Sequence, residues 1–219
     1  WEELQLIWNC HKDEMDILAK HKDLISVEVT LNHLTLSAPD CYERLGAFAQ
    51  MNPPVRDLDH QMGLWAAIQN GIVDVIGSDH APHTVEEKER PYPSSPSGMP
   101  GVQTSLPLLL NHMHEGRLSL ERIVDLTSVG PQRLFGIMGK GRISVGYDAD
   151  FVLVDLKKQR VISDEWIASK CGWTPFDGMS VMGWPVATIL RGNIVVRDDE
   201  ILGGPMGDAV RFFETNISN

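Results

Sequence analysis

Val73-Asp74-Val75-Ile76-Gly77-Ser78-Asp79-His80-Ala81-Pro82-His83 is the stretch on which the fold turns. Its first half, Val73 to Ser78, is a largely apolar run. Such runs fit a strand buried on both faces, as in a parallel sheet. Its second half places Asp79, His80 and His83 at that strand's carboxyl end, with Pro82 stiffening the loop. In a βα barrel the catalytic groups sit on that face. An aspartate there can hold a metal and take a proton from metal-bound water. The imidazoles can ligate metal or grip a substrate carboxylate. The competing reading is a polar turn between a strand and a loop.

Upstream, Lys12 to Lys22 has the spacing of a short amphipathic helix, and Ser26 to Thr30 alternates as a strand does. Phe48 to Met51 reads as another short strand, stopped by Pro53-Pro54. Leu58 to Gln69 predicts a helix that Asn70-Gly71 would end. Downstream, Pro91 to Gly101 is an irregular loop of functional length. Val102 to Glu115 predicts a helix, and Ser119 is placed to cap another that runs to about Ser128. Alternation of helices and strands favours an α/β architecture with parallel strands. After Gly139 the character changes to short strands with glycine turns, at Arg142-Ile143-Ser144-Val145, Phe151 to Leu156 and Ala187 to Val196. Asp148 and Asp199-Glu200 fall at turns. The expected division is 1–138 and 139–219, the second a β-rich module.

The chain has 219 residues, of which 42% are hydrophobic and 22% charged, so global disorder is excluded. A net charge of −11 excludes the basic stripe that nucleic acid requires. Leu106 to Leu110, the longest apolar run, is far below the ~18 residues of a membrane span. Trp1-Glu2-Glu3 shows no secretory pattern and no initiator Met, so an upstream start is expected. Cys10, Cys41 and Cys171 have no zinc-knuckle or disulfide spacing. They read as small buried hydrophobes of a reducing cytoplasm.

Gly77 to His83 resembles the last-strand motif of the cyclic amidohydrolases, above all the dihydroorotases of the long bacterial type. Three further segments agree, in family order. Met51-Asn52-Pro53-Pro54-Val55-Arg56 is similar to the Asn-Pro-Pro substrate loop. Ser97-Gly98-Met99-Pro100-Gly101-Val102-Gln103-Thr104 resembles the loop that closes over substrate. Gly139 to Asp150 resembles the start of the carboxyl-terminal β module. Similarity extends from about Asp13 to Phe213. It implies a partial TIM-type (β/α) barrel followed by a small β-rich module. The implied reaction is reversible hydrolysis of dihydroorotate to N-carbamoyl-L-aspartate, in pyrimidine biosynthesis. In the family a zinc-held hydroxide attacks the ring amide, the metal lowering the pKa of the water towards ~7. By resemblance Asp79 is metal ligand and proton shuttle, and Asn52 and His83 bind the substrate's carboxylate and ring. Pro100 and Gly101 offer backbone groups to the ring. Ser97 and Gly98 set the loop's conformation, and the role of Arg56 stays open.

The departures are as informative. The family's first-strand His-x-His has no counterpart except His112 and His114, on a predicted helix where i and i+2 diverge. They read as surface residues. The fifth-strand ligand position is Trp8, and the sixth-strand one is Asn32, within Thr30-Leu31-Asn32-His33-Leu34. His33 matches the family's normally non-ligating histidine. It could reach a metal after a small rearrangement, or simply bond a backbone carbonyl. Asp79 alone survives of the ligand set, and a catalytic zinc ordinarily needs three protein ligands. The chain alone is therefore expected not to retain zinc. It is read as beginning near the fifth barrel strand, and residues 1–138 fall short of the ~250 of a whole barrel. Open sheet edges then call for an amino-terminal half or self-association. Trp8 and Asn32 favour a second reading, a non-catalytic homologue serving as structural partner of aspartate transcarbamoylase. Asp79 and His83 speak against it. A third reading changes the substrate to a hydantoin or allantoin, but the segments at Met51 and Ser97 favour dihydroorotate.

Overall fold

The structure, a computed structural model, describes residues 5–213, so Trp1-Glu2-Glu3 lies outside the described residues. β1 (Gln5–Trp8) leads through a 3₁₀ turn at Lys12–Glu14 into α1 (Met15–Lys20). Met15 and Leu18, three apart on one face of α1, are buried. β2 (Ile25–Thr30) buries Val27 and Val29. α2 (Leu31–Thr35) starts at once, because the Thr30 side chain accepts the His33 amide as an N-cap. α3 (Asp40–Leu45) and α4 (Leu58–Gln69) follow, α4 capped by the Asp57 side chain on the His60 amide. Next come β3 (Val75–Gly77), α5 (Val85–Lys88) and α6 (Ser105–His114). α7 (Leu120–Val124), capped by Ser119, continues through a π-helical turn at Asp125–Val129 into α8 (Gly130–Leu134). β4 (Phe151–Val161), β5 (Ser180–Leu190), β6 (Asn193–Arg197) and β7 (Glu200–Ile201) complete the chain.

β1, β2 and β3 form a parallel sheet in that order. Each connection carries helix, as parallel neighbours require. The expectation of an α/β partial barrel is borne out: three strands wound with helices, β1 and β3 at the edges among the described residues. β4 to β7 form an antiparallel sheet, also in chain order. It packs on α6, where Leu108, Leu109 and Leu110 share one buried cluster with Val181 and Trp184 of β5. The Met182 amide donates to Asn111 Oδ1 at 3.1 Å across that contact. All three cysteines are free and buried. Among the described residues no helix is long and apolar enough to cross a membrane.

Several local expectations need correction. Phe48 to Met51 is not a strand: a 3₁₀ turn occupies Gly46–Ala49, because Gly46 at φ 54° turns the chain sharply out of α3. Arg142 to Val145 is not a strand either. Gly139, Gly141 and Gly146 around it all take positive φ, and Ile143 and Val145 are 85% and 103% exposed. Ala187 to Val196 is two strand arms rather than one strand. Arg191 and Gly192, at φ 45° and 81°, make the two-residue turn between β5 and β6. Val73 and Asp74 precede β3 rather than belonging to it. There the Asp74 carboxylate takes the Val27 amide at 2.7 Å and also binds Lys22. The helix opened by Ser119 does not end near Ser128 but runs through the π-helical turn to Leu134.

Candidate functional site

Thr30 of β2 pairs with Gly77 of β3. Asn32 and Asp79 each lie two residues past that pair, at the carboxyl-terminal edge of the sheet. Asp79 takes φ 45°, a left-handed conformation uncommon for residues other than glycine. Burial raises its carboxyl pKa above the ordinary range. A carboxylate so placed accepts a proton more readily near neutral pH than a solvated one.

The chain after β3 runs beside the loop that precedes α6. His80 bridges Met99 in parallel, and the Ala81 amide donates to the Met99 carbonyl at 3.0 Å. His80 Nδ1 accepts the Gly101 amide at 3.1 Å, which leaves Nε2 as the proton-bearing nitrogen of the neutral ring. His80, Pro100, Gly101 and Thr104 line a cavity of about 300 Å³ with Ile167 to Ser169. Two glycines permit this close approach. At Gly98, φ 131°, a Cβ would stand 2.4 Å from Ala81 Cβ; at Gly101 it would stand 2.6 Å from the Ser78 carbonyl oxygen. Gly98→Ala is therefore expected to cost about 1–3 kcal/mol for overpacking and a similar amount for backbone strain. Urea unfolding measures it, and a loss below about 0.5 kcal/mol would contradict the tight fit.

Ser97 is the junction of the other predicted residues. Its hydroxyl accepts from Asn52 Nδ2 and Gln50 Nε2, each at 3.3 Å. Its carbonyl accepts from His83 Nε2 at 3.1 Å, while His83 Nδ1 lies 3.6 Å from Glu87. Asn52 and Ser97 line a second cavity of about 560 Å³ with Tyr42, Gln50, Met51 and Tyr92. Asn52 and His83 are thus brought together on one loop, whose far end presents Pro100 and Gly101 beside His80. The Nε of Arg56 is buried and lacks a hydrogen bond among the described residues.

The donors for a metal are fewer. His33 is buried with both ring nitrogens engaged, Nδ1 with Thr30 Oγ1 at 2.7 Å and Nε2 with the Pro53 carbonyl at 3.0 Å. Burial lowers its pKa. A ring that donates from Nε2 to a carbonyl and accepts a hydroxyl proton at Nδ1 has no lone pair left for an ion. Asn32 is 1% exposed, and both polar atoms of its amide lack hydrogen bonds among the described residues. Trp8 ends β1, and its side chain lies outside the described residues. Around the end of β3 the described donors are thus the Asp79 carboxylate and the Asn32 amide. That set does not fit a zinc ion held by three protein ligands.

Two histidine findings were not legible in the sequence. His112 is not a surface residue. It is 3% exposed, bonds Thr35 Oγ1 at 3.0 Å and Glu115 at 3.2 Å, and meets the Trp65 ring edge-on. His114, on the exposed side, bonds the Leu156 carbonyl at 2.7 Å. His11, Asp13 and His60 bring ligand atoms within 4.8 Å of one another, a group able by type to hold a cation. His60 Nδ1 already accepts the Lys12 amide at 3.2 Å. No short spacing announces this group, because His60 comes from α4 and the other two follow β1.

The sequence model of the amidohydrolase family matches residues 4–195. A dihydroorotase of Pyrococcus abyssi is 42% identical over 195 residues, covering 89% of this chain and 46% of that protein. A dihydroorotase of Halobacterium salinarum is 44% identical over 174 residues, covering 80% and 41%. The L-hydantoinase (dihydropyrimidinase) structure from Arthrobacter aurescens superposes with a TM-score of 0.85 at 34% identity, covering 90% of this chain and 46% of that one. The chain spans about half the length of the curated relatives it matches.

Proposed function

This chain belongs to the amidohydrolase family, and on that premise we propose that it is the carboxyl-terminal portion of a dihydroorotase-type hydrolase. The substrate would be dihydroorotate, opened reversibly to N-carbamoyl-L-aspartate. The observation that carries the reading is the Ser97 junction, which gathers Asn52 and His83 onto the loop that also presents Pro100 and Gly101. Identities of 39–44% to dihydroorotases, over most of this chain, support the same substrate.

In this proposal the Asn52 amide offers a donor to the substrate carboxylate and ring, and the His83 imidazole turns its Nε2 N–H from the Ser97 carbonyl to the substrate. Backbone groups at Pro100 and Gly101 hold the ring's edge. Asp79, with its raised pKa, moves a proton between water and the ring nitrogen whose bond to the carbonyl breaks. Amidohydrolases are in general metal-dependent, and the metal in the family's chemistry polarises the amide. The donors described at Asp79 fall short of a zinc site, so zinc there would need ligands from outside this chain. An amino-terminal half, or close self-association, would also cover the open edges at β1 and β3. We further propose cytoplasmic residence, a module boundary between residues 138 and 139, and no nucleic-acid or membrane partner. Asn32 at the usual ligand position favours one second reading, a non-catalytic homologue in contact with aspartate transcarbamoylase.

Amide chemical shifts recorded during addition of L-dihydroorotate, hydantoin or allantoin test the substrate. Dihydroorotate is expected to bind most tightly, with shifts gathered at residues 52, 83 and 97–101. Tighter binding of hydantoin, or shifts scattered away from these loops, would overturn the assignment.

A further inference from the structure

We infer that Lys88 is a positioning residue whose buried ammonium ties together the loop carrying Asn52 and the loop of Ser97 to Gly101. The inference deepens the functional reading and rests on it only for what the two loops bind. Lys88 sits in a Glu86-Glu87-Lys88-Glu89 run, which in sequence looks like a solvated helix surface. It is instead 0% exposed. α5 is one turn long and is held by a capping box between Thr84 and Glu87, which fixes the direction in which Lys88 leaves the helix.

The ammonium donates to three carbonyls, Gln50 at 3.1 Å, Pro96 at 2.8 Å and Gly98 at 3.0 Å. Those use all of its protons. Gln50 lies two residues before Asn52, and Pro96 and Gly98 flank Ser97, the residue that holds Asn52 and His83. The Gly98 amide donates to the same Gln50 carbonyl at 2.8 Å, so the two loops meet at the lysine. Trp173 closes the third side: its ring lies 5.9 Å from Nζ, and its indole N–H donates to the His83 carbonyl at 2.8 Å. Burial lowers the Lys88 pKa to about 8. A fully buried cation is kept only where its hydrogen bonds repay its desolvation. Here those bonds go solely to backbone of the candidate substrate loops. A compact three-donor ammonium suits three converging carbonyls better than a planar guanidinium does.

The test compares the 219-residue chain with Lys88→Met, Lys88→Arg and a destabilised control, Ile123→Ala. Two quantities are read: amide hydrogen exchange, and affinity for L-dihydroorotate. Lys88→Met should speed exchange at residues 50–52 and 97–99 together, leave β2 protected, and weaken binding by about tenfold or more. Lys88→Arg, which keeps the charge and donors, should recover part of both. Ile123→Ala should lower the melting temperature and change neither. The inference is overturned if Lys88→Met loosens neither loop or only one, or weakens binding no more than Ile123→Ala. Should Lys88→Met not fold, Lys88→Arg decides: both loops exchanging faster than in wild type support the tie, and exchange unchanged at either loop overturns it. If wild type binds no dihydroorotate, the functional reading fails, and exchange alone judges Lys88.

Discussion

Truncating Trp184 to alanine is expected to lower the unfolding free energy by about 3–5 kcal/mol. The side chain is fully buried in β5, within the cluster that includes Leu108, Leu109 and Leu110 of α6. Its indole N–H donates to Asp199 Oδ1 at 2.8 Å, and Trp166 donates to the same oxygen at 3.1 Å. Asp199 Oδ2 pairs with Arg160 at 3.0 Å, and Arg160 stacks 5.3 Å from the Trp184 ring. One truncation thus opens a large cavity and loosens a carboxylate that holds three partners. Because the antiparallel sheet and the half-barrel share this core, both should lose stability together in one urea transition. A loss under about 1 kcal/mol, or separate transitions with only β4 to β7 affected, would contradict a shared core.

The second large effect has the opposite sign. Asn32→Leu is expected to raise the stability of the chain by about 2 kcal/mol. Both amide atoms of Asn32 are buried without hydrogen bonds among the described residues, and each unsatisfied group costs roughly 1–3 kcal/mol. Leucine has a similar volume, so the exchange removes polar atoms without opening a cavity. A natural protein that keeps such a group has a reason outside the folding of this segment. In a complete barrel, facing residues could satisfy the amide, and the gain should then shrink or reverse. A loss of stability in the isolated chain would show that Asn32 already has a partner. Asn32→His alone should not create a zinc site, because with Asp79 it supplies only two of the three ligands required.

Much of the half-barrel was legible because its signals are local. Leu58 to Gln69 has its helix period and its Asn70-Gly71 ending, and the structure follows it residue for residue. The apolar run before Asp79 announced a strand, but side-chain bonding by Asp74 shortens it to Val75–Gly77, and at the sheet's edge only Val75 of it is buried. The predicted site residues Asn52 and His83 meet because Ser97 bonds both, a contact no spacing reveals. Lys88 was invisible for the same reason: its partners lie on two distant loops, and its neighbours are all charged. His112 was misread because helical i, i+2 spacing says which residues diverge but not which side is buried. Phe48 to Met51 and Arg142 to Val145 had strand-like composition, yet glycines at positive φ around them denied the chain an extended path.

On the proposed reading this chain holds one wall of a dihydroorotase-type substrate site, and its described residues lack a complete ligand set for a catalytic zinc. The most direct measurement is the ultraviolet absorbance of L-dihydroorotate incubated with the purified chain and added zinc. The expected result is decay no faster than the zinc-containing blank. Zinc-dependent decay that disappears in Asp79→Ala would contradict the claim, since it would place a working metal centre within these residues.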